Sequence, residues 1–271
     1  MSNPCALPSL ALPPGRSEFL ALPKLEERIR RRVGVCVHEF NLIQDGDRIL
    51  VGLSGGKDSW ALLDVLESLR RRAPIAFELF GVTIDPGFPR FNPDRIAEVC
   101  EAKGIPHRIL PAPIDTMVRK RPEVTPCAMC SRFRRGVLYS HAKEHGYNKI
   151  ALGHHLDDLI ETLLLNQFFG GRLATMPIKL TSDDGGNTVI RPLGTCVEED
   201  LRRLAWLMGY PIVPCGCPLC GASVLESRRA QVKALVEQLR ETIPDLKFSM
   251  LKAMKNVKPS HLLDARFSHL D

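Results

Sequence analysis

The chain has 271 residues, 44% of them hydrophobic, and a formal net charge of +6. That length and apolar fraction suit one large α/β domain with a small appendage and a sizeable core. No apolar run approaches the roughly 18–20 residues of a membrane span, and the N-terminus lacks a basic stretch followed by an apolar one, so membrane-spanning and secreted classes are set aside and a cytoplasmic location is expected.

Residues 1–20, rich in Pro, Ser, Ala and Leu without periodicity, read as a loose N-terminal arm. The spacing of Leu25, Ile29, Val33, Cys36 or Val37 and Phe40 predicts a helix over 24–44. The apolar run 48–53 predicts a strand; Ser54-Gly55-Gly56-Lys57-Asp58-Ser59 follows, and then an apolar-periodic helix ending near Arg72. A buried strand over 77–84 is closed by residues 85–89, a helix over 93–103 is stopped by Gly104, and a short strand covers 106–110. A Pro-interrupted loop then carries Cys127-Ala128-Met129-Cys130, ahead of a helix over about 131–145. The remaining expectations are a strand at 149–153, a helix over 157–169, a short strand at 189–193 and a helix over 198–208. A cysteine cluster at 215–220 follows, then helices near 225–241 and 248–255. Strands alternating with helices predict a doubly wound parallel sheet, with ligands at the carboxyl ends of its strands. The expected division is an N-terminal arm and helix over 1–44, a central domain over 45–222 and a helical extension over 223–271.

The segment 54–59 lies at a strand-to-helix junction. Adjacent glycines admit positive φ and bring backbone N–H groups close to an anion; the helix N-terminus and Lys57 add positive charge. The expected cargo is a phosphate or pyrophosphate. The spacing is not that of Walker loops; it resembles the PP-loop of ATP pyrophosphatases, which cleave ATP to AMP and pyrophosphate. Gly153-His154-His155-Leu156-Asp157-Asp158 falls at a second strand-to-helix junction. Asp157 and Asp158 there can hold Mg²⁺ on the ATP phosphates or cap the helix. The two adjacent histidines project in different directions, which argues against a shared zinc.

Nine cysteines in a chain of this class point to metal or redox chemistry where they pair closely, with Cys5, Cys36, Cys100 and Cys196 read as incidental. Cys127 and Cys130, together with Cys215, Cys217 and Cys220, can form a zinc site, ligate an iron–sulfur cluster or cycle as a redox disulfide. Basic clusters recur at 28–32, 70–72, 119–121 and at Arg132, Arg134 and Arg135. Each is either a solvated helix face or a grip on a phosphate-rich partner, and their number favours RNA.

Several motifs recur in order: residues 54–59, Cys127 to Arg132, Arg134-Arg135-Gly136, residues 152–158 and Asn166. Met176-Pro177, Lys179, residues 182–185, residues 190–193 and Pro259-Ser260-His261-Leu262 complete the set. Together they resemble the bacterial tRNA 2-thiocytidine synthetase family, whose members thiolate cytidine 32 of the anticodon loop. The resemblance implies the adenine nucleotide alpha hydrolase-like fold. It implies ATP bound by Ser54, Gly55, Gly56, Lys57, Asp58 and Ser59 with Gly153, Asp157 and Asp158, and Mg²⁺ on the phosphates. It also implies a [4Fe–4S] cluster on Cys127, Cys130 and one later cysteine. Family members carry Pro-Cys-x-x-Cys-Gly at that point; this chain has two extra residues in 214–221, and alignment on the C-terminal side gives Cys217, with Cys215 and Cys220 as alternatives. Lys57 and Asp58, with Cys127 and Cys130, are the implied catalytic residues. The implied partners are the anticodon loop of tRNA and a sulfur donor such as a cysteine desulfurase, with a homodimer as the candidate assembly and no membrane. The competing readings are another PP-loop enzyme of tRNA, such as one making 2-thiouridine, and a zinc-stapled RNA-binding protein without catalysis.

Overall fold

A computed structural model describes residues 22–120, 126–182, 185–217 and 228–267, apart from the side chains of 126–128. The expectations for the arm at 1–20, the side chain of Cys127, Asp183, Asp184 and Cys220 lie outside the described residues.

Among the described residues, six strands form one sheet: β1 (Asp47–Gly52), β2 (Phe77–Asp85), β3 (His107–Pro111), β4 (Lys149–Ala151), β5 (Lys179–Thr181) and β6 (Thr188–Ile190), in the order β3-β2-β1-β4-β6-β5. β1 is central, and Ile49, Leu50 and Val51 are buried on both of its faces, which is why it reads as an unbroken apolar run. It pairs in parallel with β2 from Asp47↔Phe77 onward and with β4 at Ile49↔Lys149, Leu50↔Ile150 and Val51↔Ala151. From β1 the chain crosses to β2, and from β4 it crosses the other way to β6. The carboxyl ends of β1 and β4 therefore part at a topological switch point, where such sheets open a crevice.

Helices α1 (Leu22–Glu39), α2 (Lys57–Arg70), α3 (Asp94–Ala102), α4 (Ile114–Arg119), α5 (Pro126–Glu144), α6 (Leu156–Phe169), α7 (Glu198–Leu207), α8 (Arg228–Thr242) and α9 (Leu246–Lys255) flank the sheet. α1 buries Leu25, Ile29, Val33 and Cys36 in the same core as the sheet, against α2 and α7. α8 and α9 pack on α6. None of the described helices is long and apolar enough to cross a membrane.

Three local features depart from the sequence reading. β5 is an antiparallel edge strand, paired with β6 at Leu180↔Val189; three residues are too few to show periodicity. α4 lies in a stretch expected to be loop, because prolines at 111 and 113 mask a single helical segment that buries Ile114 and Val118. α5 begins at Pro126, not near Ser131, so Cys127 and Cys130 stand inside a helix. Proline lacks only a donor that the first helical turn leaves unused, so it opens this helix instead of breaking it.

Candidate functional site: a cysteine-lined cleft at the nucleotide loop

Leaving β1, the chain turns at Gly55, whose φ of 80° is open to glycine at no steric cost. A Cβ there would lie 2.7 Å from that of Val213. The close approach is fixed by Val213 N–H donating to Gly55 O at 2.9 Å and by Trp60 Nε1 donating to Pro211 O at 3.2 Å. Ser59 Oγ donates to Gly56 O at 2.8 Å, and Gly56 N–H donates to Ser54 Oγ at 3.3 Å, closing the loop on itself. Lys57 Nζ contacts Asp58 Oδ2 at 2.9 Å and Glu198 Oε1 at 3.1 Å. Burial works to lower the Lys57 pKa, but these two carboxylates hold it above its ordinary value. Asp58 Oδ1 is buried and has no hydrogen-bond partner among the described residues.

The end of β4 supplies the second wall. Gly153 lies so close to α2 that a Cβ would meet the carbonyl carbon and oxygen of Asp58 at 3.0 Å. The two histidines diverge as expected. His154 Nδ1 accepts from Arg191 Nε at 3.3 Å; burial and the Arg191 charge push its pKa down to about 4. His155 is buried, with Nε2 3.5 Å from Asp158 Oδ2 and 3.9 Å from Asp58 Oδ1. The two aspartates diverge too. Asp158 Oδ2 accepts from the N–H of His155 at 3.0 Å, and its Oδ1 contacts Arg229 Nη2 at 2.8 Å. Asp157 is buried: Oδ2 accepts from the N–H of Glu198 at 2.7 Å, and Oδ1 pairs with Lys247.

A cleft of about 750 Å³ runs between these walls. Ser54, His154 and Asp158 line it together with Cys130, Cys215 and Cys217. The charged residues of the lining are Arg134, Arg135, Arg191 and Arg229 with Asp158, so its charge is mostly positive. The later cysteines reach the cleft because residues 211–213 are tied to the nucleotide loop. Gly216 then turns at φ 67°, where a Cβ would lie 2.5 Å from Phe91 N. Cys127 stands in the first turn of α5, three residues before Cys130. Among the described side chains, no three His, Cys, Asp or Glu are gathered as a metal site.

A model of the PP-loop domain family matches residues 25–209. Two curated proteins called tRNA-cytidine(32) 2-sulfurtransferase are also similar. That of Syntrophotalea carbinolica is 49% identical over 250 residues, 90% of this chain and 96% of the relative. That of Geobacter sulfurreducens is 46% identical over 246 residues, 90% and 95% of the two chains. The chain belongs to the tRNA-cytidine(32) 2-sulfurtransferase family. Among solved structures, the U34-tRNA thiolase NcsA of Methanococcus maripaludis, described with its [4Fe–4S] cluster, superposes with a TM-score of 0.72. It covers 89% of this chain and 84% of that one at 22% identity, a likeness of fold.

Placed in the family's fold, several site residues escape a reading of the sequence. Glu198 opens α7 and looks like an acid complementing a helix dipole, yet it anchors Lys57, Lys233 and Arg202. Arg229 and Lys233 are one helical turn apart on α8, and only the fold shows that both meet acids beside the nucleotide loop. Arg191 belongs to a recognised motif, but nothing in its neighbours along the chain signals its burial.

Proposed function

We propose that this protein thiolates cytidine 32 of tRNA to 2-thiocytidine at the expense of ATP. The observation that carries the reading is that the nucleotide loop and the cysteine-bearing segments line one cleft, so an activating group and a sulfur-carrying group meet over one base. The C2 oxygen of cytosine is a poor leaving group. Its attack on the α-phosphate of ATP forms an adenylate and expels pyrophosphate. Residues 54–59 bind the leaving pyrophosphate through backbone N–H groups, and Lys57 neutralises the charge that develops on it. Sulfide then adds at C2, and the oxygen departs on AMP.

Mg²⁺ fits the donor set. Asp58 Oδ1 is a buried oxygen in need of a partner, and His155 Nε2 lies 3.9 Å from it and 3.5 Å from Asp158 Oδ2, so the two carboxylates flank one imidazole. Asp157 is buried, away from the cleft lining and tied to Lys247 and α7, so its role in this reading is to hold the loop, whereas Asp158, though paired with Arg229, lines the cleft. A [4Fe–4S] cluster likewise suits the thiols of Cys130 and Cys217, with Cys127 as third ligand and Cys215 or Cys220 as alternatives to Cys217. When bound on three thiolates it supplies an iron with a coordination position open to sulfur. Arg134 and Arg135, on the cleft wall, hold phosphates of the anticodon loop. A single-stranded loop base can be splayed into such a cleft, whereas a paired one cannot. The sulfur comes from a donor protein such as a cysteine desulfurase, and the work on tRNA places the protein in the cytoplasm.

The deciding experiment is nucleoside mass spectrometry of tRNA from cells with and without the gene. Loss of 2-thiocytidine is expected. Loss of 2-thiouridine instead would keep the enzyme class and overturn the base; no change in either would overturn thiolation.

A further inference from the structure

Arg191 carries an unusual burden for a buried side chain. It is only 6% exposed, and its guanidinium makes two contacts: Nη1 donates to Pro177 O at 2.6 Å, and Nε donates to His154 Nδ1. Both partners are neutral. Among the described residues no carboxylate lies within ion-pair distance of it, and Nη2 makes no hydrogen bond yet keeps some accessible surface. Arg191 nonetheless forms part of the cleft wall, so the unused edge of its fork opens on the cleft. A buried cation without a counter-charge is among the costlier features a fold can carry, and an apolar residue of similar volume would spare that cost. The neighbouring Arg134 and Arg135 add positive charge instead of cancelling it. Burial, with Arg135 and against an upward pull from Tyr139, lowers the Arg191 pKa, the signature of a cation short of an anion.

His154 completes the arrangement. Because Nδ1 accepts from Arg191, the ring proton of the neutral imidazole must sit on Nε2, a fixed donor on a residue that also lines the cleft. Its depressed pKa keeps it in that neutral form at physiological pH.

We propose that Arg191 and His154 form a phosphate seat in the wall of the cleft, distinct from residues 54–59, that takes either an RNA backbone phosphate or the α-phosphate of the nucleotide. The forked guanidinium supplies charge and a planar donor edge, and His154 Nε2–H supplies a second direction. The assignment rests on the thiolation reading only for the two phosphate sources named.

The test is calorimetric titration of the full chain with AMP, adenosine and an anticodon stem-loop RNA. Wild type is compared with Arg191→Met, Arg191→Lys and His154→Phe, with melting temperatures recorded for each. If the nucleotide is the source, Arg191→Met narrows the preference for AMP over adenosine by about tenfold or more. If the RNA is the source, Arg191→Met weakens stem-loop binding by about as much and leaves that preference unchanged. His154→Phe moves the same quantity by a smaller factor, as fits loss of one neutral hydrogen bond. A folded Arg191→Met that binds all three like wild type overturns the seat. If the Met variant does not fold, Arg191→Lys decides: it keeps the charge but loses the fork, so it should weaken the same ligand severalfold, and unchanged affinity for all three overturns the proposal. Failure of wild type to make 2-thiocytidine overturns the thiolation reading and leaves these binding results standing.

Discussion

Glu198 Oε1 lies 3.1 Å from Lys57 Nζ, so the nucleotide-loop lysine is held from a helix far along the chain. Burial works to raise the Glu198 pKa, but Lys57 and Lys233 hold the carboxyl well below its usual range. A depressed carboxylate contributes stability above its ordinary pKa and loses it as pH falls toward the folded value. Lys57, held above its ordinary value, contributes below that value and loses the contribution as pH rises through the folded one. Glu198→Gln is expected to lower stability near neutrality by about 1–3 kcal/mol. The difference from wild type should shrink as pH drops below about 4.5, which urea unfolding across the acid range would measure.

Lys57→Ala is expected to slow tRNA-dependent release of AMP and pyrophosphate by about 10²–10³-fold, the usual size for loss of one preorganised electrostatic stabiliser. The products themselves are the sharper check, since ADP and phosphate would exclude adenylation.

Asp157 and Asp158 should separate cleanly. Asp157→Asn breaks a buried pair with Lys247, which keeps Glu237 at 2.8 Å, and is expected to cost about 1–3 kcal/mol in denaturant unfolding, independent of Mg²⁺. Asp158→Asn, like Asp58→Asn, should leave the fold in place and raise the Mg²⁺ concentration needed for activity by about 10–100-fold. Equal Mg²⁺ dependence in all three variants would remove Asp58 and Asp158 as metal ligands.

Anaerobically purified protein should be brown and contain iron. Single Ala changes at Cys127, Cys130 and Cys217 should each remove the iron. Cys36→Ala and Cys196→Ala should keep it: burial pushes both of those thiols up to about 12, out of reach of thiolate chemistry. Iron retained in Cys217→Ala and lost in Cys215→Ala or Cys220→Ala would move the third ligand. Colourless, active protein with zinc would dispose of the cluster.

Arg134→Ala and Arg135→Ala should each weaken tRNA binding, with ATP binding unchanged. Each should also flatten the slope of log affinity against log salt by about 1, as loss of one phosphate contact does. Binding that is insensitive to salt would argue against a backbone grip.

The parts of this protein that could be read without the fold are those whose function is local. Ser54 to Ser59 and Gly153 to Asp158 announce themselves because a tight turn between strand and helix needs glycines in sequence. The central strands are legible because burial on both faces demands unbroken apolar runs, as in Ile49-Leu50-Val51. What stayed hidden is set by contacts between distant segments. Glu198 on Lys57, Arg229 on Asp158 and Lys247 on Asp157 look like ordinary surface charges on amphipathic helices. The different fates of Asp157 and Asp158 are equally invisible, since adjacent residues at a helix start point apart and only the packing says toward what. β5 and α4 were too short, or too close to prolines, for any period to show.

The ionic ties from α8 and α9 bear on how the chain comes apart. The matched PP-loop segment ends at residue 209, but the cations that neutralise Asp157 and Asp158 come from positions 247 and 229, and Glu198 shares its charge with Lys233. A protease cut at 209 would preserve that whole segment and strand its acids, while also removing Cys215 and Cys217. The unit that opens and closes cooperatively is therefore longer than the PP-loop segment the family model matches, and amide exchange in α6 and α7 should slow or quicken together with that in α8 and α9.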